Sequence, residues 1–127
     1  MITTKALALS MLLVSSLTLA RVQLHTQAQH QNSERYGNRS IDITFQIDKH
    51  QPLEIYNHDK IKIVAELLAE EEARATVSFT FYGKNNADEY EILLAPVIVP
   101  NYIDPAKVSL SSSDGELFTM TVQAQKV

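Results

Sequence analysis

Apolar and polar side chains alternate with a period of two through short runs of the chain after residue 40, and this pattern predicts half-buried β-strands. The clearest run is Ile41-Asp42-Ile43-Thr44-Phe45-Gln46-Ile47-Asp48, which puts its apolar side chains on one face and its polar ones on the other. Ala75-Thr76-Val77-Ser78-Phe79-Thr80-Phe81-Tyr82 repeats it, and Gly83-Lys84-Asn85-Asn86 is expected to end that strand with residues that tolerate positive φ. Leu53 to Tyr56 predicts a short strand between Lys49-His50-Gln51-Pro52 and a turn at Asn57-His58-Asp59. Glu89 to Val99 predicts a longer one with Pro96 inside it, which places that strand at a sheet edge, bulged or bent, because proline has no N–H for a ladder. Val108 to Ser111 and Leu117 to Ala124 flank Ser112-Ser113-Asp114-Gly115, and Asp-Gly between alternating runs signals a hairpin.

One stretch supports two readings. Ile61 to Arg74 contains strong helix formers from Ala65 onward, and Ile61, Val64, Ala65 and Leu68 would share a helical face. It also begins with the strand-like Ile61-Lys62-Ile63-Val64 and runs into the next strand without Gly or Pro. The favoured reading is a hairpin arm ending near Ala69 with Glu70 to Ala73 as its turn; the alternative makes the fold α+β. With the arm counted, about seven strands at roughly ten-residue spacing predict an all-β antiparallel sandwich over residues 41–127, immunoglobulin-like in layout.

The first 40 residues differ in kind. Residues 1–20 read as a cleaved export signal of the bacterial Sec type. Lys5 is its basic start, Ala6 to Leu17 its apolar stretch, and Thr18-Leu19-Ala20 a small-x-small cleavage site. Thr26-Gln27-Ala28 offers a second site, so cleavage at 28 is the alternative. Residues 21–40, rich in Gln, His and Asn, read as a flexible polar leader. Within it Val22, Leu24, Thr26 and Ala28 alternate with Gln23, His25, Gln27 and Gln29, a pattern able to add as a strand to a neighbouring sheet.

Composition narrows the functional classes. With no cysteine, lipid attachment after the signal is excluded and the domain must be held by burial and sheet hydrogen bonds alone. Removing Lys5 with the signal leaves 10 basic against 15 acidic residues. A chain with that balance has no basic stripe for nucleic acid and no attraction to an anionic lipid surface.

Candidate chemistry is sparse. His50 and His58 lie in turns on either side of the second strand with Asp48 and Asp59 nearby, a set able to hold a metal ion if the strand ends meet. His25 and His30, five apart, read as solvated spacer. Ser109, Ser111, Ser112 and Ser113 lack the Gly-x-Ser-x-Gly elbow of a hydrolase nucleophile. Glu70-Glu71-Glu72 and Asp88-Glu89-Glu91 have no calcium-loop spacing, and Asn38-Arg39-Ser40 matches only the short glycosylation pattern. Val97-Ile98-Val99-Pro100-Asn101-Tyr102 reads as a buried strand leaving its sheet.

These readings converge on an exported, periplasmic or secreted, non-enzymatic binding or accessory module. It is expected to carry no cofactor and to act on a protein or a cell-envelope component. A structural subunit assembled by strand addition through residues 22–29, and a small metal-binding protein, are the alternatives.

Overall fold

A computed structural model of the chain describes residues 21–111 and 115–127; the signal-like segment and Ser112 to Asp114 lie outside the described residues. Among the described residues nine strands form: β1 (Arg21–Gln31), β2 (Arg39–Asp48), β3 (Leu53–His58), β4 (Ile61–Glu70), β5 (Ala75–Lys84), β6 (Tyr90–Leu94), β7 (Val97–Ile98), β8 (Ala106–Ser111) and β9 (Leu117–Lys126). They make two antiparallel sheets packed together as a β-sandwich, with no helix among the described residues. One sheet has the order β2-β1-β9-β8; the other is the meander β3-β4-β5-β6, with β7 also on β5. The chain therefore changes sheet twice, between β2 and β3 and between β7 and β8.

Alternation builds the core. Val22, Leu24, Ile47, Met120 and Val122 from the four-stranded sheet meet Ile63, Leu67, Val77 and Phe79 from the other, all essentially without solvent contact. Each such side chain contributes about 1.5–3 kcal/mol by leaving water, which is how a cysteine-free domain of this size holds together. Phe81 and Phe118 pack edge to face across the two sheets with centroids 4.9 Å apart.

The ambiguous stretch is strand. β4 runs to Glu70, and the turn closes with Glu71 N–H donating to the Arg74 carbonyl at 2.8 Å. Leu67 and Ala65 are fully buried, and a helix there could not present them to β3 and β5 together. Leu68 is the residue skipped by the register shift between Leu67 and Ala69, and its side chain is accordingly exposed. Pro96 acts as expected of proline: it separates β6 from β7 along one edge, and its carbonyl still accepts from Phe79 N–H at 2.9 Å. Ser111 opposite Leu117 gives the predicted β8–β9 hairpin.

Two expectations are corrected. Residues 21–40 do not form a flexible leader: Arg21–Gln31 is β1, paired along its length with β2 on one side and β9 on the other. The alternation of residues 22–29 thus serves the chain's own sheet, and the folded domain begins by Arg21 rather than at Ile41. The connection to β2 is also built in, since Ser33 is buried and Tyr36 lies over β5. Nor does Gly83 end its strand. It is buried inside β5 with negative φ, and a Cβ there would collide with the end of the Tyr36 side chain, so glycine is favoured by close approach rather than by a turn.

Candidate functional site

The outer face of the four-stranded sheet collects the side chains that alternate away from the core. In register across β2, β1, β9 and β8 stand Asp42, Gln27, Thr121 and Lys107, then Ser40, Gln29, Thr119 and Ser109. Toward the other end follow Thr44, His25 and Gln123, then Gln46, Gln23 and Gln125. These fourteen outward positions carry amides and hydroxyls almost throughout, with one aspartate, one lysine and one histidine, and the next outward row, Arg21 and Asp48, is an ion pair. A hollow of about 260 Å³ lies on this face, lined by Gln27, Gln29, Ser40, Asp42, Lys107, Thr119 and Thr121 together with Ala28 and Ile41.

Asp42 organises one side of it. Its Oδ1 lies 2.6 Å from His25 Nε2, and its Oδ2 accepts from Gln27 Nε2 at 3.2 Å. The His25 hydrogen bond, and then that from Gln27, hold the Asp42 carboxyl below the usual aspartate range. The stability linked to this is present above the ordinary carboxyl value and lost as pH falls through the lower folded value. The result is a fixed carboxylate acceptor at the hollow's rim, with Lys107 as a donor across the sheet. His25 has Thr44 and Gln123 as its neighbours in register, while Ser109 lies further along the face.

No family model, curated protein or solved structure matches the chain. The site must therefore be read from its own chemistry.

The histidines and aspartates singled out as metal candidates are not gathered. His50 precedes β3 and His58 ends it; the strand rise over their positions on β4, Leu67 and Ile61, separates them by about 20 Å. Asp48 instead accepts from Arg21 Nε at 2.9 Å, and His58 lies 3.5 Å from Asp59 on an exposed turn. No group of three metal-ligating side chains occurs among the described residues. Of the serines, Ser109 and Ser111 lie on β8, and Ser112 and Ser113 fall outside the described residues.

Two other places lack room or free chemistry. The apolar gap between the sheets near Phe81, Phe118, Leu93 and Leu94 measures about 30 Å³, the share of one water molecule. On the outer face of the five-stranded sheet, Lys62 Nζ sits 4.9 Å from the Tyr82 ring and 4.3 Å from Tyr90, whose hydroxyl donates to Asn57 Oδ1 at 3.2 Å. Those ring faces are occupied by the protein's own cations.

Sequence reasoning missed Asp42, His25 and Gln27 as a group. The alternation of residues 22–29 was the available signal, but it gave no partner: Gln27 meets Asp42 only because β1 turns back beside β2 in a definite register.

Proposed function

We propose that the protein is exported and acts without catalysis, binding a neutral, hydroxyl-rich cell-envelope component, a glycan, through the outer face of the four-stranded sheet. The observation that carries this reading is the lining of the hollow on that face by amides and hydroxyls, with one carboxylate and one ammonium. Every glutamine amide both donates and accepts, and so does every sugar hydroxyl; Asp42 accepts and Lys107 donates. The near balance of charge suits an uncharged polymer better than a nucleic acid or an anionic surface. The signal-like residues 1–20 support the export part of the reading.

Affinity electrophoresis through gels holding neutral polysaccharides tests it. Retention is expected for the wild-type protein, and Gln27→Ala combined with Thr121→Ala should weaken it roughly tenfold, the loss of one or two hydrogen bonds of about 1 kcal/mol each. Both substitutions lie on the outer face, so circular dichroism should be unchanged. Wild-type protein that is retained by no glycan, or a double variant retained equally well, overturns the proposal.

A further inference from the structure

The sandwich has four sheet edges, and three of them are blunted. β3 is six residues long with a register shift between Glu54 and Tyr56; β6 and β7 are interrupted at Ala95-Pro96; β8 is six residues long and carries Lys107. Short strands, bulges, proline and lysine are the devices by which sheet edges avoid pairing with other chains. β2 has none of these, and its one inward-facing charge, Arg39, stands at its first position. It keeps ten consecutive register pairs with β1, contains no Pro, Gly or Lys, and pairs with no second strand among the described residues. Its inward-facing Ile43 and Phe45 remain partly exposed mid-strand, whereas Ile41 and Ile47 at its ends are buried.

We infer that β2 is an assembly edge that pairs antiparallel with β2 of a second copy, making one continuous eight-stranded sheet. The sequence of β2 is complementary to itself in that arrangement. Residues directly opposite in an antiparallel pair share a face, so a two-fold axis through Ile43 sets Ile43 against Ile43, Ile41 against Phe45, Asp42 against Thr44 and Ser40 against Gln46. On the inner face apolar side chains meet apolar ones at Ile41, Ile43 and Phe45, with Arg39 opposite Ile47 at the ends, and the Asp42 carboxylate meets a hydroxyl on the outer. Shifting the axis by one residue toward the N-terminus would oppose Asp42 to Asp42, so charge disfavours that register. The pairing covers Ile43 and Phe45 and satisfies the outward backbone groups of residues 39–47. It stands independently of what the outer face binds.

The absence of cysteine makes the test clean. Protein purified from cells expressing the full chain should sediment as a dimer at micromolar concentration. Ile43→Lys, which sets two like charges on the axis, should make it monomeric while leaving a cooperative thermal transition. Ile43→Cys should oxidise to a covalent dimer, whereas Ser109→Cys on the β8 edge should not. A wild-type monomer, a dimer indifferent to Ile43→Lys, or equal cross-linking of the two cysteine variants overturns the inference. So does a monomer that takes up a strand only from a different protein.

Discussion

Thr26 is the one fully buried polar side chain of β1, between Leu24 and Ala28 along the strand and opposite Ile43 and Val122 across it. Its Oγ1 is buried with no hydrogen-bond partner. A buried hydroxyl left unpaired costs about 1–3 kcal/mol, and valine fills nearly the same volume without one. Thr26→Val should therefore raise stability by about 1 kcal/mol, read as a higher urea midpoint at unchanged slope. A lower midpoint would mean that the hydroxyl finds a partner the static structure does not show. Gly83 is the opposite case at the same scale, a position where adding one carbon forces the ends of the Tyr36 and Leu93 side chains to move.

At the scale of elements, the β3–β4 hairpin turns through Asp59 and Lys60 with φ of 50° and 70°, a conformation costly for both residues. Arg39, on the other sheet, braces it. Its guanidinium donates to the His58 carbonyl at 3.0 Å, the Asp59 carbonyl at 3.1 Å and the Tyr56 hydroxyl at 2.8 Å. Arg39→Met should cost about 2 kcal/mol in urea unfolding, since hydrogen bonds from a charged group are worth about 1.5–3 kcal/mol. Arg21→Met, which breaks only an exposed pair with Asp48, should cost less. Equal losses would show that the turn needs no brace. Most elements were legible in the alternation itself: β2, β5, β9, the β4–β5 turn and the break at Pro96 follow from local pattern and turn chemistry. β1 was not, because glutamines and histidines fill its outer face and its inner face uses a threonine and an alanine, so it scores as polar until β2 and β9 flank it. The Asp42 cluster was hidden for the same reason, as its members come from two strands joined only by register. Arg39 was hidden inside a glycosylation-like tripeptide whose local pattern says nothing of a turn on the opposite sheet.

For the whole molecule, the proposed export signal makes its point of cleavage the decisive question. Both small-x-small sites fit an export signal, but they differ by β1. Cleavage after Ala20 leaves Arg21 as the first residue of a complete sheet; cleavage after Ala28 removes Val22, Leu24, Thr26 and Ala28, all buried. Val22 and Leu24 alone contribute about 3–6 kcal/mol of burial. Their loss would also separate β2 from β9, leaving two unpaired edges in the middle of what had been one sheet and exposing Ile41, Ile47, Met120 and Val122 to water. Since a domain of this size is stable by only about 5–15 kcal/mol in total, it does not survive that removal. Protein recovered after export should therefore begin at Arg21 by N-terminal sequencing. A chain expressed as 21–127 should unfold cooperatively, and one expressed as 29–127 should show no cooperative transition. A mature N-terminus at Gln29 on a protein that still unfolds cooperatively would show that β1 is dispensable, and with it the closure of the sheet by the first and last strands.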